Sequence, residues 1–188
     1  WKISLFSLLF LPVLIVLGFW QLQRAEEKST IQQLLAERQA GPPVSLDPRA
    51  LTDSEEWLYR PVVVTGKPDR NRVWLLENQI NQGRLGYHLL VPLTLDNGDI
   101  LLVNCGWLPA NAERNQLPEL PPIPEQVTLR GRLVKPSDNP LLRQQTGNLW
   151  PRVILQVDTT QVQNELRQPV SPWLLQLDAD NPMALLVD

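Results

Sequence analysis

The 188-residue chain has one cysteine, one histidine and one methionine. With Cys105 alone, no intrachain disulfide and no CxxC redox or metal motif can form, and cysteine usage says nothing of the redox compartment. With His88 alone, a multi-histidine metal site and a CxxCH haem attachment are both excluded. A basic surplus is missing too: 17 Lys and Arg stand against 20 Asp and Glu, for a formal net charge of -3. The phosphate-neutralising charge of a nucleic-acid binder is therefore absent. There is no GxSxG elbow and no glycine-rich phosphate loop. Acidic residues stand singly apart from Glu26-Glu27 and Glu55-Glu56, and sequence neighbours on a helix or strand do not face each other as a catalytic pair must. The sequence predicts neither an enzyme nor a resident metal. Glycine is scarce, at 9 residues against 18 prolines, which breaks long helices beyond residue 40 and predicts many short elements.

What is present first is an apolar run. Ile3 to Trp20 holds eighteen residues without a charge, thirteen of them Leu, Ile, Val or Phe. That is the length an α-helix needs to cross a hydrocarbon core of about 30 Å. At roughly -0.3 to -0.6 kcal/mol each, these side chains contribute about -4 to -8 kcal/mol towards insertion, more than Ser4, Ser7 and Pro12 oppose. Trp1 and Trp20 lie about 28 Å apart along such a helix, where indole rings favour the headgroup level. The run ends in Gly18-Phe19-Trp20-Gln21 without the small-residue pattern of a cleavable signal, so a retained anchor is expected. Lys2 before the run, and Arg24 and Lys28 among Glu26 and Glu27 after it, leave orientation undecided by charge. Helix formers continue from Gln21 to Ala40, until Gly41-Pro42-Pro43 stops them. This extension reads equally as a stalk or as a docking surface for a membrane partner.

From Tyr59 the pattern changes to short Val-, Leu- and Trp-rich runs between turn signals, which predicts strands at 61–65, 72–77, 87–95, 100–108, 126–134, 151–157 and 172–177. One short helix is expected at 159–166. Asn97-Gly98 is expected to be a two-residue hairpin turn. Such strands need closure or a covering helix to hide their edges. The expected fold class is α+β, mainly antiparallel β: an N-terminal transmembrane helix followed by a small β-barrel-like domain with marginal helices. The expected organisation is residues 1–40 as membrane helix and extension, 41–58 as linker, 59–182 as the soluble strand-rich domain and 183–188 as its C-terminal end.

Few side chains suggest chemistry. His88 shares a strand face with Leu90 and Pro92; an axial haem ligand is the functional reading and a packed side chain the more frequent one. Cys105 closes an apolar strand and reads as a packed thiol. Arg60, Arg84, Trp74 and Trp107 could line a surface for a planar anionic ligand, although strand tryptophans are more often core.

Four segments in order resemble the Surfeit locus protein 1 family, membrane-anchored assembly factors of haem-copper cytochrome c oxidase. Leu17-Gly18-Phe19-Trp20-Gln21-Leu22-Gln23-Arg24 looks like the family's motif at the membrane exit, with Gly18, Trp20, Gln21 and Arg24 as its marked positions. Tyr59-Arg60-Pro61-Val62-Val63-Val64-Thr65-Gly66 is similar to its first strand, and Gly86-Tyr87-His88 with Pro92-Leu93 to its central one. Val103-Asn104-Cys105-Gly106-Trp107-Leu108-Pro109 resembles its Asn-Arg-Gly-Trp segment, with Asn104, Gly106 and Trp107 in place and Cys105 where the family usually has arginine. Weaker matches fall at Gly131, Trp150 and Pro172. The resemblance implies a domain on the periplasmic side of a bacterial inner membrane and a second transmembrane helix beyond 183–188. It also implies partners among oxidase subunits, subunit I above all, with membrane lipid around the anchor. The function implied is a chaperone or scaffold for maturation of the haem-bearing subunit. Alternatives are a permanent accessory subunit of the mature oxidase or supercomplex, and a transient haem a carrier with His88 as the visible ligand.

Overall fold

The computed structural model describes residues 16–17, 19–20, 41–111, 116–136 and 149–186. The chain divides into two compact units, Trp1–Ala40 and Gly41–Asp188. In the first, Val16, Leu17, Phe19 and Trp20 are helical and exposed. The rest of the apolar run, with Gly18, Gln21 and Arg24, lies outside the described residues. Among the described residues no helix is long and apolar enough to cross a membrane.

In chain order the second unit forms β1 (Val44–Ser45), β2 (Pro61–Pro68), β3 (Trp74–Asn81), β4 (Arg84–Thr94), β5 (Ile100–Pro109) and β6 (Val127–Val134). Strand β7 (Arg152–Ile154), helix α1 (Thr159–Leu166) and strand β8 (Val170–Leu177) follow. The strands β2, β6, β8, β5 and β4 are neighbours in that order, and β4 returns to β2. Closure rests on two antiparallel pairs, Lys67 with Thr94 and Pro68 with Leu93. Within this five-stranded ring β5 and β8 run parallel and the other pairs antiparallel. The result is a small Greek-key barrel of the OB type, a likeness of fold that carries no ligand with it. Outside the ring, β3 forms a hairpin with β4, β7 lies parallel to β3, and β1 lies parallel to the start of β2.

Alternation explains the barrel. Leu89, Val91 and Leu93 of β4 and Leu101, Val103 and Cys105 of β5 enter the interior, while Leu90, Ile100 and Leu102 point outwards. An outward Leu needs its own cover, and α1 supplies it. Asp158 caps the helix, its carboxylate accepting the N–H groups of Thr160 at 2.9 Å and Gln161 at 3.0 Å, which satisfies donors the helix cannot. Val162 and Leu166 of α1 then pack on Trp74, Leu90, Ile100, Leu102, Ile154 and Leu174. A mostly buried ion pair ties this cover to the sheet edge: Arg152 Nη1 lies 2.7 Å from Glu165 Oε2. That oxygen has no aligned hydrogen-bond donor, so the contact is coulombic. The Arg152 guanidinium also sits 4.4 Å from the centre of the Trp150 ring, which meets Trp74 edge-on.

Two expectations need correction. The hairpin between β4 and β5 has a three-residue loop, Asp96-Asn97-Gly98. Leu95 accepts from Gly98 and donates to Asp99 O, and Gly98 alone of the loop has positive φ, at 88°. This is a type I turn closed by a left-handed glycine, which places the same Asn-Gly pair one step differently from a two-residue turn. The two-residue turn is Gln82-Gly83, with φ of 47° and 76°. Residues 41–58 are also more than a linker. Leu46 and Trp57 are buried in the barrel interior, and Leu46 N–H bonds Val63 O at 2.8 Å. Replacing Leu46 by Ala should therefore cost about 2–4 kcal/mol in denaturant unfolding, as in other cores. A loss within about 0.5 kcal/mol, as on a linker surface, would return 41–58 to linker status.

Candidate functional site

The motif residues of β4 and β5 meet where both neighbours of β4 bend. Leu76 pairs with His88 and Gln79 with Gly86, so β3 holds one residue more than β4 there. On the other side Trp107 pairs with His88 and Asn104 with Leu90, so β5 also holds an extra residue. The two bulges carry positive φ at Asn78, 62°, and Gly106, 105°. Bulges turn strands and re-aim side chains, and they cluster near functional sites.

Asn104 holds the β5 bulge. Its Oδ1 accepts the Gly106 N–H at 3.0 Å, and its Nδ2 lies 3.3 Å from His88 Nδ1. With the amide oxygen engaged, the amide nitrogen must donate, so His88 Nδ1 accepts and the ring proton is assigned to Nε2. Glycine is required at 106 twice over: its φ is left-handed, and a Cβ there would lie 2.6 Å from Leu186 O. This closeness reflects a second strand partner. Beyond Asn104 the place of β8 on β5 is taken by the chain end, with Leu185 N–H bonding Cys105 O and Trp107 N–H bonding Leu186 O, each at 2.7 Å.

Trp107 explains the other motif glycine. Its indole crosses β4 at Gly86, where a Cβ would come within 2.5 Å of Cε2 and Nε1, and Nε1 donates to Gln79 O at 3.1 Å. One side chain thus straps β5 to β3 across β4. On the same outer face, register aligns Asn104, Gln176, Arg132 and Pro61 across four strands, and His88 joins this row through its contact with Asn104; Asn104 and Pro61 are buried in it, while Arg132 is exposed. Helix α1 covers one half of that face, and this polar row lies on the other.

The remaining positions do other work. Tyr59, at φ 59°, turns the chain into β2 and bonds Leu133 O at 2.7 Å. Arg60 lies 5.2 Å from the centre of the Trp57 ring. Gly66 lets Leu93 and Thr94 approach at the barrel closure, next to buried Pro92. The surface expected from Arg60, Arg84, Trp74 and Trp107 is not assembled, since Trp74 lies under α1 and Arg84 at the β3–β4 turn. Sequence reasoning missed Arg132 and Gln176, although each is a polar residue inside an alternating strand and so signals an outward face. It also missed Leu185 and Leu186, which no local signal marks.

Cys105 has left the polar row for the interior. It lines an apolar cavity of about 180 Å³ with Leu89, Pro121, Pro122, Ile123, Met183 and Leu185, and burial pushes its thiol up to about 12. A larger, polar recess of about 500 Å³ lies at Asp53, Lys135 and the start of α1 and, apart from the weakly matched Pro172, contains none of the motif residues. Among the described residues no group of His, Cys, Asp and Glu could hold a metal ion.

These features define a small closed-barrel domain whose motif residues set a bend in its strands and a partly buried polar row beside it. The chain belongs to the SURF1 family, whose sequence model matches residues 8–186. It is 29% identical over 116 residues to a SURF1-like protein of Rickettsia bellii, covering 61% of this chain and 46% of that protein. It is 30% identical over 120 residues to a SURF1-like protein of Dictyostelium discoideum, covering 58% and 44%. A third relative is the cytochrome oxidase assembly protein SHY1 of Saccharomyces cerevisiae, 29% identical over 111 residues, covering 57% and 28%. The matched stretches thus span less than half of each of these relatives.

Two outcomes test the site. Asn104→Ala removes the acceptor of a buried N–H and should cost about 1–3 kcal/mol, with faster amide exchange at Gly106 and Trp107; unchanged exchange there would mean the bulge holds itself. Cys105 should react with a thiol reagent at pH 8 about a thousandfold more slowly than a free cysteine, because so little thiolate forms. Its folded value is the raised one, so its contribution to stability is full below 9.0 and is lost as pH rises towards about 12. Cys105→Ala should flatten that part of the stability profile, and an unaltered profile would contradict the shift.

Proposed function

We propose that this chain is a membrane-anchored assembly factor for haem-copper cytochrome c oxidase, acting as a scaffold for maturation of the haem-bearing subunit I and not as an enzyme. The observation that carries the reading is the extent of the family match: it runs from residue 8, inside the apolar segment, to residue 186 at the end of the barrel. The apolar run and the barrel are therefore matched by one family model, and a relative is named for cytochrome oxidase assembly. The apolar run Ile3–Trp20 is read as one transmembrane helix, retained in a bacterial inner membrane with the barrel on the periplasmic side. Arg130 and Arg132 are exposed on the outer face of β6 and form no ion pair among the described residues. Together with the row from His88 to Arg132, they offer a polar, cationic surface to a protein partner. Confinement to the bilayer raises the effective concentration of that surface near a membrane-embedded subunit.

The test uses cells that lack the protein, with oxidase activity and haem a content as readouts. The full chain should restore both, and residues 41–188 released from the anchor should restore little at native abundance. A foreign transmembrane helix in place of residues 1–24 separates confinement from the specific helix surface around Gly18, Trp20 and Arg24. Full rescue by the released barrel would refute the anchored reading.

A further inference from the structure

The exposed apolar side chains of the barrel are not scattered. Of the six large ones among the described residues of the second unit, Ile80, Leu85, Leu117 and Leu186 lie at one end, 40–68% exposed. Ile80 and Leu85 are a cross-strand pair at the tip of the β3–β4 hairpin. Leu117 is brought there by Asn111, just beyond β5, whose Nδ2 donates to Leu117 O at 2.8 Å, and Ala110 N–H bonds Leu85 O at 3.1 Å. Leu186 pairs with Trp107 near the same end of β5. On its β3 side the hairpin is an open edge, because β7 pairs only with Trp74 to Leu76 and leaves residues 77–81 held by β4 alone, while β5 supports the β4 side up to Leu85.

The charge of this end has one sign at its tip. Arg84 is exposed beside the apolar pair and forms no ion pair among the described residues. The opposite end of β4 is the reverse case: the turn Asp96-Asn97-Gly98-Asp99 carries two acids, and its flanking Leu95 and Ile100 are buried. The two tips are separated by eleven residues of β4, about 35 Å of extended chain. A hairpin tip with two exposed aliphatic side chains and one arginine without an ion pair among the described residues matches the interface of an anionic bilayer. Aliphatic groups enter the acyl boundary there, and a long cationic side chain reaches back to the headgroups. The acidic turn would be repelled from the same surface.

We propose that the Ile80–Leu85 hairpin tip is a membrane-surface contact, dipping into the interface of an anionic bilayer and so fixing which end of the barrel faces the lipid. The contact rests on the anchored reading given above. Its consequence is orientation: the exposed end of the row at Arg130 and Arg132 is then held on the side of the barrel, open to a neighbour in the same membrane rather than pressed on lipid.

The experiment uses the full chain reconstituted in vesicles of phosphatidylglycerol and phosphatidylcholine. An environment-sensitive fluorophore is placed through Gln82→Cys or, as the internal comparison, Asn97→Cys, with Cys105 buried and unlabelled. Lipids brominated near the headgroup end of the acyl chain serve as quencher. Quenching at position 82 should be several-fold greater than at 97, should weaken in vesicles of phosphatidylcholine alone, and should be lost when Ile80→Asp and Leu85→Asp are combined with the label at 82. The comparison of 82 with 97 leaves the patch intact, so it does not depend on the folding of the aspartate variants. Equal quenching at 82 and 97, with the protein retained on the vesicles through an alkaline wash, overturns the contact and leaves the anchor standing, and would reassign the tip to a protein partner. Release of the protein by the alkaline wash overturns the anchor and this contact with it.

Discussion

Strand β5 cannot run straight past Asn104. At Cys105-Gly106 it takes up an extra residue in a left-handed conformation, and the bond from Gly106 N–H to Asn104 Oδ1 holds the bend. The rest of the motif follows from it. The bend separates β5 from β8 and exposes backbone groups that would be orphaned in the barrel wall, and residues 185–186 satisfy them. It also turns Trp107 onto β4, where glycine at 86 leaves room for the indole to reach Gln79. Asn104, Gly106, Trp107, Gly86 and His88 are therefore one mechanical unit.

The same barrel presents two different outer surfaces. On one half the outward residues of β3, β4, β5 and β8 are apolar, and α1 with β7 covers them, fastened by Arg152 and Glu165. Burying a Leu or Ile is worth about 1.5–3 kcal/mol, so this half is committed to stability. On the other half the outward residues are mostly polar; Asn104 and Pro61 are buried among them, His88 and Gln176 are half-buried, and Arg130 and Arg132 are exposed. The proposed partner surface would lie on this second half, where the strap across Gly86 stiffens the strands.

Legibility in the sequence followed the range of the interactions. The strands of the ring and the helix at 159–166 were readable because alternation and turn residues are local signals; the Asp158 cap is an equally local signal on which that helix reading did not rest. The hairpin at Asn97-Gly98 was readable as a hairpin, but its loop length was not, since a left-handed glycine serves both the two-residue and the three-residue forms. Residues 41–58 read as a linker because Leu46 and Trp57 are isolated apolar residues among polar ones, and only distant strands make them core. The bulges and the row from His88 to Pro61 depend on register between strands far apart in sequence, which no window along the chain contains. Resemblance to a family marked Gly86 and Gly106 beforehand; the reasons for them, an indole in one case and the carbonyl of Leu186 in the other, are tertiary.

The family match takes in both this barrel and part of the apolar run that precedes it, and on the proposed reading the run would confine the chain while the barrel presents a stiff polar face. The proposed assembly factor would hold an immature partner and let it go when the partner is complete, whereas a permanent subunit would stay. The direct measurement is affinity capture of the full chain from detergent-solubilised membranes of oxidase-producing cells, with haem a quantified per captured subunit I. The account predicts capture of haem-poor subunit I in amounts well below the total oxidase. Equimolar recovery with active, fully haem-loaded oxidase would contradict it.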